Sequence, residues 1–336
     1  MLVIAALGGG AGYAFRAPLA SLLGRSEERP RAAPSPTTSL PPSPSPSPSP
    51  SPERERLVVH GTGDVNLDPA YIPTFRSRGY RYAWTGLKGL FKRDDLTIIN
   101  LECPASELGA SLGKEFTFRC DPKALPIAKR FGVEVANQGN NHSGDLGKEA
   151  LLDSRRNLKD AGIASVGTGK DHRQAAKPAI LEIGGWTIAV VGFGGIVPEP
   201  GWIAAEDNPG MADGDDIPSM VRTVKRAAKA ADLVFVSIHW GVELDLKPRP
   251  DDVERARAMI DAGADGIFGH HAHRLQPMER YKGRPIFWGL GNFVWPSRSA
   301  PSATTAVARI VVQPDGRVKG RLLPAYIEDH GHPVLR

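Results

Sequence analysis

From Pro42 to Pro52 proline alternates strictly with serine, and ten prolines fall between Pro30 and Pro52. A chain without an N–H at every second residue can neither wind into a helix nor pair as a strand. This stretch reads as a semi-rigid, solvated spacer of polyproline-II type. It confines the folded part of the 336-residue chain to one side. Residues 24–56 are assigned to the spacer and residues 57–336 to one folded domain, with the boundary near Glu53–Arg56. The chain is 41% apolar, and its 37 glycines bring that to about half, the ordinary globular range. Disorder throughout is excluded, and there is material for a large core. Net charge is +5, yet no run of Lys or Arg reaches five. Scattered basic charge gives no footing for nucleic acid.

Upstream of the spacer, residues 1–23 are mostly apolar, with Arg16 inside, and about as long as a bilayer span. A signal anchor holding the domain off a membrane, outside the cytoplasm, is expected; a disordered cytosolic tail is the alternative. No Lys or Arg precedes the segment, as an export signal would require, and Arg16 and Arg25 favour the reverse orientation. The expectation is an anchor whose true start lies further upstream. Cys103 and Cys120 lie 17 residues apart. Outside the cell they would close one disulfide, which is expected here; inside, they would be two unrelated thiols. No Cys-x-x-Cys occurs, so a thiolate zinc site is excluded.

From Leu57 on, short apolar runs alternate with amphipathic stretches. Strands are expected at Leu57–His60, Leu96–Leu101, Val133–Ala136, Leu233–Ile238 and Gly266–Phe268. Helices are expected at Gly147–Ala161, Asp216–Ala231 and Val253–Ala262. Gly184-Gly185, between Ile180–Ile183 and Trp186–Val191, is a hairpin signal. This alternation means an α/β fold with a mixed sheet or two sheets.

The polar residues fall in a telling place. Asp64, Glu102, Asn141-His142, His239, His271 with His273, and Asn292 each closely follow an apolar strand. Singly, each has a plain structural explanation: Asp64 as a turn former, His239 as a core-edge histidine. Together they describe one site, because ligands in open α/β sheets bind beyond the carboxyl ends of strands. His271 and His273 alternate, so both rings can face one ion. Carboxylates, imidazoles and an amide oxygen without thiolates favour Mn, Fe or Zn, and admit Ca or Mg. Six strand ends supply more ligands than one tetrahedral ion takes. Two divalent metal ions about 3.5–4 Å apart are therefore expected, lowering the pKa of a shared water towards ~7.

Gly63-Asp64, Asn100-Leu-Glu102, Asn140-Asn-His142 with Asp145-x-Gly147, His239-Trp-Gly-x-Glu243, His270-His-x-His273 and Leu290-Gly-Asn-Phe293 occur in that order. The set resembles the CapA-type poly-γ-glutamate capsule synthesis family, a branch of the calcineurin-like metallophosphoesterases, over about 57–296. The resemblance implies a four-layer α/β/β/α sandwich of metallo-dependent phosphatase type, with the metal site at the strand C-terminal ends. It implies Asp64, Glu102 (bridging), Asn141, His239, His271 and His273 as metal ligands, and His142 as general acid. Asn66 stands where that superfamily has a histidine, and Glu102 where it has an aspartate. Asn66, Asp145, Glu243, His270 and Asn292 would bind metal or support its ligands. Lys114, Arg119 and Arg274 would meet substrate carboxylates, or simply be solvated charges.

The function implied is that of a metal-dependent hydrolase, phosphoesterase- or amidase-like. It would act in synthesis, export or processing of an anionic cell-envelope polymer or peptide, tethered to the membrane and alongside the capsule synthesis machinery. Hydroxide attack with His142 as acid is the expected chemistry. Two alternatives are a non-catalytic assembly factor that binds the polymer, and a metal-dependent peptide epimerase. Cleavage, no change or inverted stereochemistry would separate the three.

Overall fold

The structure is a computed structural model and describes residues 53–296 and 298–336; the 1–23 segment and most of the spacer lie outside the described residues. In chain order the strands are β1 Leu57–Val65, β2 Leu96–Leu101, β3 Val135–Asn137, β4 Ala164–Val166, β5 Thr168–Gly169, β6 Ala179–Ile183, β7 Trp186–Gly194 and β8 Gly210–Met211. They continue with β9 Leu233–His239, β10 Gly266–His270, β11 Met278–Tyr281, β12 Arg284–Phe287, β13 Asn292–Val294, β14 Thr304–Val312, β15 Val318–Asp329 and β16 His332–Leu335. Two sheets carry the fold. One runs β16-β15-β14-β1-β2-β3-β4, with β13 also beside β1; the other runs β11-β12-β10-β9-β7-β6. Strands β1 to β4 are mutually parallel, as are β7, β9, β10 and β12, and antiparallel strands close the edges.

The continuous apolar strands follow from burial on both faces. In β2, Ile98 packs into a cluster shared by the two sheets, while its neighbour Ile99 packs outward against Phe75, Trp84 and Leu125. In β9, Phe235 faces the other sheet, and Val234 and Val236 face Met220, Val224 and Met259 of the helices Ile217–Ala230 and Pro250–Asp261. Phe268 is fully buried between the sheets and stacks on Phe287 at 5.7 Å. Truncating such a ring to alanine costs about 3–5 kcal/mol. Opposite it Gly61 has no side chain: a Cβ there would lie 2.3 Å from the Phe268 ring.

The long helices match the expected ones within a residue or a turn. The helix Ile217–Ala230 starts on Asp216, whose carboxylate accepts from Ser219 N–H, and Pro250 starts its helix three residues before Val253. Ile183 pairs with Trp186 across Gly184-Gly185, as the hairpin signal requires. The spacer boundary needs correction. Residues 53–56 are tied to that hairpin: Glu55 N–H donates to the Gly184 carbonyl, Trp186 Nε1–H donates to Glu55, and Arg54 pairs with Asp232. Cys103 and Cys120 are paired, with Cα atoms 5.6 Å apart. Among the described residues no helix is long and apolar enough to cross a membrane.

Candidate metal centre

Parallel register brings the polar strand ends together. On β1, Asp64 lies opposite Asn100 of β2 and Asn292 of β13; His239, the last residue of β9, lies opposite His270, the last of β10. Glu102 follows β2 directly. Gly63 allows β13 to close on β1, since a Cβ there would stand 2.0 Å from the Gly291 carbonyl oxygen. Beyond β10 the chain turns sharply. His271 and His273 take left-handed backbone, with φ of 87° and 50°. Bulky residues hold that conformation at about 1–3 kcal/mol, and only where the surroundings demand it. Here the bend turns both imidazoles toward the carboxylates.

Two overlapping groups result. Glu102, His239 and His271 form one, and Asp64, Glu102 and His273 the other; within each, one ligand atom per residue lies within 4.8 Å of the others. Glu102 is common to both, the position of a bridging carboxylate. His239 Nε2 stands 2.8 Å from Asn141 Oδ1 and 3.4 Å from Glu102 Oε1. His273 Nδ1 is 3.1 Å from Asp64 Oδ2, and its Nε2 is 3.9 Å from Glu102 Oε1. Both Glu102 oxygens and His271 Nδ1 are buried with no hydrogen-bond partner among the described residues. Unpaired buried carboxylate oxygens are costly, and a cation compensates them. The residues fit a divalent metal.

The electrostatics agree. Burial, reinforced by Asp64 and Glu243, pushes Glu102 well above the usual carboxylate range. Burial also raises Asp64, but His273, His270 and the Asn100 amide outweigh it and hold the carboxyl low. Burial, then the neighbouring imidazoles, pushes His239 well down. Burial and His273 take His271 to about 3, and burial takes His270 to about 4. Neutral imidazoles are the form that binds metal.

His142 stands beside this cluster. Its Nδ1 is 2.7 Å from Asp145 Oδ2, and its ring packs 4.3 Å from Phe118. It lines a cavity of about 440 Å³ with His273, Asn292, Arg274, Glu243 and Trp295. Asn292 donates to Ser302 and keeps its Oδ1 buried and unpartnered. His270 is occupied by Ser237, with Nε2 2.9 Å from the hydroxyl, and its Nδ1 lies 3.7 Å from Asp64.

Three expectations change. Asn66 does not replace the missing histidine: its side-chain oxygen accepts from Asp68 N–H at 2.8 Å, closing a local turn. Lys114 is taken up by Asp145 at 2.7 Å and the Asn141 carbonyl at 2.6 Å, so it buttresses the His142 loop instead of meeting substrate. Arg119 donates to the carbonyls of Ser106, Leu108 and Gly109, and does not line the cavity. Arg274 does line it. Two residues of the site carry no role in the sequence reading, although Asn100 stands in one of its motifs. Asn100 donates to Asp64 Oδ1 at 2.9 Å and accepts from Asn140. The signal was present, since Asn100 and Glu102 are two apart and share a face. Arg298 lines the cavity from a loop without any pattern.

Two sheets that gather carboxylates and imidazoles at parallel strand ends define an α/β class of protein with a candidate metal centre. Within it, residues 58–297 match the family described as bacterial capsule synthesis protein PGA_cap, and the chain belongs to that family. It is similar to the PGA biosynthesis protein CapA of Bacillus subtilis, at 28% identity over 80% of this chain and 70% of that protein. It is also similar to the probable polyglutamine synthesis accessory protein Rv0574c of Mycobacterium tuberculosis, at 34% identity over 60% of this chain and 55% of that protein. Among solved structures, Haemophilus influenzae NAD nucleotidase (NadN) overlaps 82% of this chain and 50% of that chain. The identity is 14% and the TM-score 0.49, too distant a likeness to carry an activity across.

Proposed function

We propose that this protein is a metal-dependent hydrolase acting on an anionic cell-envelope polymer of poly-γ-glutamate type, held outside the cytoplasm by its apolar N-terminal segment. The observation that carries the reading is the cluster of two buried carboxylates and the imidazoles of His239, His271 and His273, with unpaired atoms converging beside Glu102. Asp64, Glu102, Asn141, His239, His271 and His273 would hold two divalent ions. Bound there, the ions supply Lewis acidity and an acidified water. The chain's own residues do the rest. Asp145 fixes the His142 ring through Nδ1, leaving Nε2 to face the cavity and give a proton to the leaving group. Arg274 and Arg298, which line the same cavity, would offer planar donors to a substrate carboxylate. The three apolar clusters, two against helices and one between the sheets, support a four-layer α/β/β/α arrangement.

A second reading has one specific observation in its favour. The mycobacterial relative bears the name of an accessory protein, which suits a polymer-binding assembly factor. Metal analysis of the purified chain, with a cleavage screen on γ-glutamyl polymer and phosphoesters, decides between them. Bound metal with metal-dependent cleavage is the expected result. Bound metal with polymer binding and no cleavage would favour the assembly factor.

A further inference from the structure

Outside the metal centre the most unusual charge environment lies along the helix Lys148–Asp160. Arg155, Arg156 and Lys159 of that helix line, with Lys170, a hollow of about 440 Å³, and no carboxylate among the described residues lines it. Arg156 pairs with Asp153; among the described residues Arg155, Lys159 and Lys170 have no acidic partner within 4.0 Å. Arg155 is the key to the place. It is part-buried and held rigidly, because its Nη1 donates to the Thr168 carbonyl and to the hydroxyls of Thr168 and Ser165. Its desolvation is opposed by no neighbouring negative charge. A fixed, half-desolvated guanidinium with spare donors is a receptor for an anion.

Lining chemistry narrows the ligand. Leu152 and Ile163 line the same hollow. Several cations beside an apolar lining suit a chain that alternates carboxylates with methylene groups. The hollow also adjoins the metal centre's own loop. Ser165, bonded to Arg155, donates to the Gln138 side chain at 2.8 Å, and Gln138 stands two residues before Asn140.

We infer that this hollow is a second polymer-binding site, gripping carboxylates of an anionic chain through Arg155, Lys159 and Lys170 apart from the metal centre. The inference rests on the polymer reading given above, and its test separates the two. The full chain is titrated by fluorescence anisotropy with a labelled γ-linked glutamate oligomer, and by calorimetry with inorganic tripolyphosphate. Lys159→Glu/Lys170→Glu reverses two exposed charges, and an unchanged melting temperature shows that the fold persists. Oligomer affinity is expected to fall at least about tenfold in this variant, the scale of losing two charge contacts. In His271→Ala, the loss of oligomer affinity is expected to be smaller. Unaltered oligomer binding in the double variant overturns the inference. So does binding of tripolyphosphate alone, which would make the ligand a compact phosphate. An oligomer bound through the hollow but never cleaved would refute the hydrolase reading and leave the hollow standing.

Discussion

His271 and His142 lie in one neighbourhood and do different work. His271 belongs to a group with Glu102 and His239, whereas His142 is bound to Asp145, and it is its neighbour Asn141 whose side-chain oxygen reaches His239. His271→Ala should therefore lower metal affinity at least about 10–100-fold, the loss typical even for residues that only support ligands. His142→Ala should keep its metal and lose about 10²–10⁴-fold in cleavage rate, the share of general acid catalysis. Metal content by mass spectrometry and initial rates check both. Equal metal loss would make His142 a ligand. At this scale sequence reading is strong for residues at strand ends and weak for long cations. Lys114 and Arg119 sit near the motifs, but their flexible stems reach Asp145 and loop carbonyls that no spacing predicts.

Strand ends work only because certain elements approach closely. β13 lies against β1 with Gly63 facing the Gly291 carbonyl, and this contact sets Asn292 beside Asp64. Gly63→Ala places a methyl against backbone that cannot rotate away. A loss of about 3 kcal/mol is expected, the upper end of ordinary overpacking, with metal content falling in parallel. Urea unfolding and metal analysis of the same preparation test this. The Cys103–Cys120 link joins the end of β2 to the segment that also supplies Phe118 against His142. Closing a loop of 17 residues contributes about 3 kcal/mol in the chain-entropy model. Cys103→Ser with Cys120→Ser should lower the melting temperature accordingly. Intact mass before and after thiol alkylation should show no free thiol in the parent chain. The hairpin and the helices were legible as elements, because a Gly-Gly turn and an Asp cap act over a few residues.

The whole molecule encloses several titratable groups whose interests conflict. His239, His270 and His271 are held below the ordinary histidine value of 6.5, so they stay neutral in the fold while the unfolded chain takes up protons as pH falls. Stability linked to these groups is complete above about 6.5 and is lost as pH falls below it, for His270 and His271 down to about 4 and 3. Glu102 acts oppositely: its raised pKa favours the fold below the ordinary 4.5 and is a burden as pH rises. Burial also lowers His142 and His332 and raises Glu134, Asp215 and Asp265, so five imidazoles stand against four carboxyls, and the unfolded chain binds more protons across that window. The metal-free protein should therefore melt at progressively lower temperature from pH 7 to pH 4. Thermal unfolding in chelator at a series of pH values measures this. A flat or rising profile would mean that the imidazoles are not buried as described. Added metal should raise the melting temperature most at neutral pH, where the ligands are unprotonated.

By itself the sequence determined the α/β alternation, the extent of the folded part to within a few residues, and which residue types gather at strand ends. Those follow from short-range rules: proline removes donors, apolar runs make buried strands, and successive side chains in a strand alternate. Only the tertiary structure decided that Asn66 closes a turn and that Asn100 steadies Asp64. It alone assembled Arg155 and Lys170 into one hollow from positions 15 residues apart. Register between strands distant in the chain, and the reach of flexible side chains, depend on how two sheets pack. That packing is a property of the whole core, and no single segment specifies it.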